Sequence, residues 1–111
     1  MDKHLIQRKL DSLGRCLARL EAKCPATSED LVSDVDAQDI VSINLERAVQ
    51  ICVDGGAHLL AGSDQPAPET MGQVFELLAR DDVISDDLAG ALRQAVGFRN
   101  LSVHAYDRVD W

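Results

Sequence analysis

Residues 36–61 read DAQDIVSINLERAVQICVDGGAHLLA, and this stretch predicts the architecture of the whole chain. Its apolar residues recur every three or four positions, which is the period of an α-helix. The main apolar stripe consists of Val41, Leu45, Ala48, Cys52 and Leu59, and it is widened by Ile40, Ile43, Ile51 and Leu60. A helix with so broad an apolar surface is expected at the centre of a bundle or against a second subunit. The pair Gly55-Gly56 permits close approach of a neighbouring helix, at some cost in helix stability.

The segments around this helix predict shorter helices. Residues 2–23 carry an apolar stripe at Ile6, Leu10, Leu13, Leu17 and Leu20. A proline at position 25 ends this helix, and a short helical piece follows from about Ser28. Residues 62–69 contain two prolines and predict a loop.

Two further helices are predicted after this loop. Thr70–Ala79 forms one, and Ser85 starts another, whose inward residues are Leu88, Leu92, Val96 and Phe98. No stretch alternates as a strand would. We therefore expect an all-α fold, an antiparallel four- or five-helix bundle, as one domain over residues 1–111.

The composition is that of a small intracellular protein. Of its 111 residues, 46% are hydrophobic, enough for a core that a partner subunit would help to stabilise. The net charge of −8 argues against tight, sequence-independent binding of nucleic acid by the chain as a whole. Three widely spaced cysteines without a CxxC pair predict reduced thiols. The charged N-terminus and the lack of a long apolar run predict neither a signal peptide nor a membrane span, so the cytoplasm is the expected location.

The charges are unevenly distributed along the chain. Acidic residues cluster at 29–39 and 81–87, where helix N-termini favour negative charge, and they match no metal-ligand pattern. Neither a metal nor a cofactor is therefore predicted. The stretch from Leu88 to Tyr106 holds no acidic residue but includes Arg93, Arg99 and His104. Two such stretches, brought together in a dimer, would form a positive cleft able to hold a phosphate.

Within this stretch the residues FRNLSVHAY carry Arg99, Asn100, His104 and Tyr106 in the pattern R-N-x-x-x-H-x-Y. In this motif the chain resembles the HepT branch of the HEPN superfamily. The opening helix, NLERAVQICVD at 44–54 and YDRVDW at 106–111 also resemble that family, so the resemblance covers essentially the whole chain. Members of the family usually continue into a further helix, for which Asp110 would be a good N-cap, and this final helix is expected to be missing here.

The resemblance implies a homodimeric helical bundle whose two motifs meet at the interface. It also implies a metal-independent endoribonuclease, the toxin of a toxin–antitoxin pair, with RNA as substrate. The implied partner is a minimal nucleotidyltransferase antitoxin of the MntA type, which silences the toxin by adenylylating the motif tyrosine, here Tyr106.

The chemistry of the motif residues agrees with this implication. Because RNA supplies its own nucleophile, the 2′-hydroxyl, the enzyme needs only proton transfer and charge stabilisation. Histidine titrates near neutral pH, so His104 is the candidate general acid or base. Arg99 is the candidate for stabilising the phosphorane-like transition state, and Arg93 is a second candidate for phosphate binding. Asn100, one helical turn before His104, is a candidate to orient the imidazole or to bind phosphate.

The spacing imposes a geometric constraint on this site. Arg99 and His104 lie about 140° apart around a regular helix. Either the helix distorts near His104, or a two-fold axis combines residues from two chains. Arg99 and Tyr106 would share a face if the helix continued, and phosphate added to the tyrosine would then compete for the arginine. The alternative function is a non-catalytic HEPN-type subunit that binds a nucleotidyltransferase partner or its nucleotide.

Overall fold

The computed structural model describes residues 2–111, and every regular element within them is helical. The elements in chain order are α1 (Lys3–Lys23), α2 (Ser28–Val32), α3 (Val35–Ala61), α4 (Met71–Arg80), α5 (Asp86–His104) and a 3₁₀ turn at Tyr106–Arg108. The prediction of an all-α helical bundle is confirmed, and residues 62–69 form a loop, as expected.

Side chains cap the start of all five α-helices. Each accepts a hydrogen bond from a backbone N–H in the first turn, and the capping residues are Asp2, Thr27, Asp34, Thr70 and Ser85. Such caps satisfy donors that have no partner within the helix. Because these signals are local, the predicted helix starts agree with the structure to within a residue or two.

Helix α3 is the axis of the molecule, and α1 and α5 run antiparallel to it. The backbone N–H of Asp2 donates to Nε2 of His58 at 3.3 Å, which brings the start of α1 to the end of α3. At the other end, the hydroxyl of Tyr106 reaches Asp39 near the start of α3. The described chain measures 47 × 27 × 23 Å, and α3 alone spans about 40 Å of its length.

The hydrophobic core lies between α3, α4 and α5. Phe75 and Leu77 on α4 are each only 1% exposed. The other members of the core cluster are Val49, Val53, Leu60, Val74, Leu78, Ala89 and Val96. Helix α1 contributes none of them, and within it only Cys16 is buried.

The predicted apolar stripes are only partly buried. Helix α1 contacts α3 but neither α4 nor α5. Leu10 and Leu17 belong to the predicted apolar stripe of α1, yet they are 54% and 51% exposed. Leu59 on α3 and Leu88 on α5 are also exposed. Together with Leu10, these two leucines line an apolar groove of about 430 Å³ between α1 and the α4–α5 pair.

The face of α3 was likewise only partly predicted. Val49 and Val53 are buried but lie outside the predicted stripe, whereas Ile43 is exposed. Gly56 fulfils the expectation of close approach, because a Cβ atom there would lie 2.7 Å from Cγ1 of Val74 on α4. None of the helices described between residues 2 and 111 is long and apolar enough to cross a membrane.

Candidate active site

Arg99 lies near the end of α5 and points towards α3. Its Nη1 donates to Oδ1 of Asn100 at 3.1 Å, and its Nη2 donates to Oε1 of Gln50 at 3.4 Å. Both acceptors are neutral amide oxygens, so they position the guanidinium without neutralising its charge. A guanidinium has five N–H donors, and the remaining ones are available to an anion.

His104 is the last residue of α5, and its side chain is exposed. Asn100 lies one turn earlier and is also exposed, so the two residues share a face of the helix. The helix runs without interruption through His104 and breaks only at Ala105, where φ is −150° and ψ is 57°. Distortion of the helix before His104, the first of the two expected solutions, is therefore not seen. Within one chain, Arg99 and His104 leave the helix about 140° apart.

Tyr106 lies beyond this break, in the 3₁₀ turn. Its hydroxyl donates to Oδ1 of Asp39 at 2.7 Å. Its ring packs edge-to-face against Trp111, with ring centroids 5.7 Å apart, and Trp111 packs in the same way against Phe98. The side chain is 39% exposed, so it does not fill the core. The condition under which Arg99 and Tyr106 would share a helical face is not met, because the helix ends between them.

The pKa of Tyr106 is raised above its ordinary value. Partial burial of the phenol is the largest cause, because it disfavours the charged phenolate. The hydrogen bond to the Asp39 carboxylate raises the pKa further, because it is made by the protonated form. The hydroxyl is therefore protonated at neutral pH.

A row of polar side chains on α3 faces the end of α5 and the turn after it. Asp39, Glu46 and Gln50 accept hydrogen bonds from Tyr106, Ser102 and Arg99, respectively. The bond from Ser102 Oγ to Glu46 Oε1 is 2.5 Å long and joins a buried hydroxyl to a half-buried carboxylate. The sequence analysis did not identify these three α3 residues. Their spacing of seven and four positions places them on one helical face, which was the only available signal.

Arg93 is not brought together with Arg99. Its Nη1 lies 2.8 Å from Oε1 of Glu76, in an ion pair with α4 on another side of α5. The stretch from Leu88 to Tyr106 is basic in sequence, but in space it meets carboxylates from neighbouring helices. Of the two arginines in this stretch, Arg99 lies in the motif, whereas Arg93 does not bring its charge there.

The part of the chain that the structure describes has no group of three or more His, Cys, Asp or Glu residues placed to hold a metal ion. The candidate site therefore consists of a guanidinium, an amide, an imidazole and a phenol. These groups can bind a phosphate and transfer protons.

Solved structures similar to this chain include two toxin–antitoxin complexes. One is a toxin–antitoxin crystal structure with AMP-PNP, which matches with a TM-score of 0.87 and 27% identity over 97% of this chain and 81% of the other. The second contains a tri-AMPylated HEPN toxin from Shewanella oneidensis in complex with its MNT antitoxin. It matches with a TM-score of 0.86 and 28% identity over 99% of this chain and 81% of the other.

Sequence relatives lead to the same family. The mRNA nuclease HepT of Shewanella oneidensis is 28% identical over 106 residues, which are 96% of this chain and 79% of the relative. The tRNA nuclease HepT of Aphanizomenon flos-aquae is 26% identical over 96% of this chain and 72% of the relative. The family model described as Ribonuclease HepT-like matches residues 13–111. The chain therefore belongs to the ribonuclease HepT-like family.

Proposed function

We propose that this chain is the ribonuclease toxin of a toxin–antitoxin pair and cleaves RNA without a metal ion. The observation that carries the proposal is the position of Arg99. Two neutral amides hold its guanidinium at the end of α5 that also presents His104 to solvent. The relatives named as mRNA and tRNA nucleases support the same reaction class.

The proposed reaction is transesterification by the RNA itself. The 2′-oxygen attacks the adjacent phosphorus, and the bond from phosphorus to the 5′-oxygen breaks, leaving a 2′,3′-cyclic phosphate. His104 exchanges the proton that leaves the 2′-hydroxyl or the one that reaches the 5′-oxygen, an effect typically worth roughly 10²–10⁴ in rate. Arg99 donates hydrogen bonds to the non-bridging oxygens as negative charge develops there. Asn100 fixes the guanidinium through its side-chain oxygen.

A homodimer completes this site. The regular helix directs Arg99 and His104 of one chain to different sides, so a composite site takes each residue from a different subunit. The exposed apolar side chains near the motif, Leu101 and Val103, are available for such an interface. They are 37% and 46% exposed, respectively.

Control by adenylylation is the second part of the proposal. A nucleotidyltransferase antitoxin would transfer AMP from ATP to the hydroxyl oxygen of Tyr106, which loses its proton as pyrophosphate leaves. The solved complex of an AMPylated HEPN toxin with its MNT antitoxin supports this kind of control. The modified oxygen has no proton left to donate to Asp39, and its new phosphate would be repelled by that carboxylate. The modified side chain would therefore leave Asp39, and its phosphate could compete with RNA for positive charge such as that of Arg99.

The test compares the intact chain with Arg99→Ala and His104→Ala variants. We expect the intact chain to inhibit growth and to cleave RNA in the presence of a chelator, leaving 2′,3′-cyclic ends. Each variant should lose roughly 10²-fold or more in cleavage rate. His4→Ala is a matched control, because His4 is an exposed histidine on α1.

Three results would contradict the proposal. They are cleavage only with added magnesium, full activity of His104→Ala, or an intact chain that binds the antitoxin but cleaves no RNA. The last result would favour the non-catalytic subunit.

A further inference from the structure

A second basic feature lies outside the motif, in a cleft between α1 and α3. The cleft has a volume of about 670 Å³. Three of its lining residues are arginines, Arg15 and Arg19 on α1 and Arg47 on α3, and none is acidic. The chain has 11 basic and 19 acidic residues, so a cleft lined by three arginines and no carboxylate is a marked local reversal of charge.

No ion pair within the described part of the chain involves an arginine of this cleft. The ion pairs found there are Lys9–Asp54 and Arg93–Glu76, and neither involves a cleft arginine. Arg15 donates from Nη2 to the hydroxyl of Ser12 at 2.9 Å, which orients its guanidinium without neutralising it. All three arginines are exposed, so an anion can reach them.

The cleft is continuous with the candidate active site through one residue. Gln50 lines the cleft, and its Oε1 also accepts the hydrogen bond from Arg99. Arg47 lies one helical turn before Gln50 on α3. A polyanion bound at Arg99 can therefore extend over Gln50 into the cleft. Ile40 and Ile43 add apolar surface to the cleft, which suits the face of a nucleobase better than a free phosphate ion.

We propose that this arginine cleft binds the RNA strand that flanks the scissile phosphate. Arg15, Arg19 and Arg47 contact backbone phosphates, which gives affinity and register but no base specificity. The inference rests on the ribonuclease proposal, because it assigns the cleft as an extension of that site. It explains how an acidic protein holds a polyanion, since the attraction comes from one local surface.

The test measures binding separately from cleavage. His104→Ala supplies a background in which RNA stays intact, and the probe is a labelled single-stranded oligoribonucleotide titrated at several salt concentrations. Adding Arg15→Gln and Arg19→Gln should weaken binding at least tenfold. It should also reduce the slope of log K against log salt by about 1.4, which is about 0.7 for each lost phosphate contact on a single strand.

The matched control adds Lys3→Gln and Arg80→Gln, which remove the same charge from exposed positions outside the cleft. This control should keep the affinity and the salt slope of the His104→Ala background. An equal loss in the control, or an unchanged affinity in the cleft variant, would overturn the inference. A changed oligomeric state of the cleft variant with unchanged RNA affinity would overturn it as well.

A cleavage assay separates this inference from the ribonuclease proposal. With His104 intact, the cleft variant should raise KM by about the factor seen in binding, with a smaller effect on kcat. If the intact chain cleaves nothing but the cleft variant still loses RNA affinity, the nuclease proposal fails and only RNA binding by the cleft stands. If cleavage requires Arg99 and His104 but ignores the cleft arginines, the cleft assignment fails alone.

Discussion

The hydrogen bond between Tyr106 and Asp39 links the end of the motif to the start of α3. The tyrosine is the proposed target of the antitoxin, and its hydroxyl is the group that must react. The pKa of this hydroxyl is raised first by partial burial and then by the Asp39 carboxylate. Transfer of AMP must therefore remove a proton from a hydroxyl whose pKa is raised. Asp39 accepts the hydrogen bond of this hydroxyl and is the nearest carboxylate identified that could accept the proton.

An Asp39→Asn substitution tests this pair. We expect the pKa of Tyr106 to fall but to stay above its ordinary value, because burial is the larger cause. Since Tyr106 is the only tyrosine in the chain, the ultraviolet absorbance of tyrosinate during a pH titration reports on it alone. Asp64→Asn removes the same charge from an exposed loop position and should leave the titration unchanged.

The raised pKa of Tyr106 also makes the stability of the folded protein depend on pH. A group whose folded-state pKa is raised contributes stability below its unfolded pKa and loses it as pH rises through the folded value. For Tyr106 this loss falls in the alkaline range, above the ordinary pKa of a phenol. The Asp39→Asn variant should lose this contribution at lower pH than the intact chain does. Coincident titration curves for the two proteins would contradict the pairing.

At this scale the sequence predicted the motif but not its supporting residues. Arg99, Asn100, His104 and Tyr106 are close in the chain, so their spacing could be recognised directly. Their assigned roles remain predictions. Asp39, Glu46 and Gln50 support the motif from α3, 49 to 67 positions away from their partners. No local pattern connects residues at that distance, because the pairing depends on how α3 and α5 pack.

At the scale of elements, the close approach of α3 and α4 depends on a single missing side chain. Gly56 is buried against Val74 and Leu78, and a Cβ atom would lie 2.7 Å and 2.9 Å from their side chains. The adjacent Gly55 is different, because the nearest heavy atom to its Cβ position is Cδ of Lys9, at 3.9 Å. The two adjacent glycines can therefore be compared directly, because Gly55 has room for a Cβ atom and Gly56 has none.

Alanine substitution should have opposite effects at these two glycines. Gly56→Ala should lower the free energy of unfolding by about 1–3 kcal/mol, because it overpacks the contact with α4. Gly55→Ala should raise it by up to about 1 kcal/mol, because alanine favours the helix and meets no obstacle. Urea denaturation of the two variants measures both changes. A stabilising Gly56→Ala would show that the two helices separate at little cost.

The elements also show why helix positions were easier to predict than helix faces. The starts of α4 and α5 follow from Thr70 and Ser85, whose side chains act within their own first turn. The inward face of α1 depends instead on which helices surround it. Leu10 and Leu17 have the period of a core stripe, but more than half of each side chain is exposed. Periodicity specifies a face, whereas packing decides whether that face is covered.

At the scale of the whole molecule, the proposed dimer predicts that two inactive variants regain activity when their subunits are mixed. If each site takes Arg99 from one chain and His104 from the other, Arg99→Ala and His104→Ala chains are both inactive alone. A mixed dimer then contains one intact site. Co-expression at equal levels should restore about a quarter of the intact activity, since half of the dimers are mixed and each has one working site of two.

The control for this experiment combines both substitutions in one chain. Co-expressed with the intact chain, the double variant leaves no intact site in mixed dimers, because each composite site then lacks one partner. RNA cleavage by the purified mixtures measures the outcome. If the two single variants together remain as inactive as either alone, the site is not shared between subunits in this way.

Helix α1 is joined to the rest of the molecule through α3 alone, and this arrangement separates recognition from folding. The hydrophobic core lies on the opposite side, among α3, α4 and α5, and contains no residue of α1. Substitutions on the exposed face of α1 can therefore alter the arginine cleft without removing a side chain from the hydrophobic core. Under the proposed assignment, such substitutions would change the affinity for RNA, while the hydrophobic core stays the same.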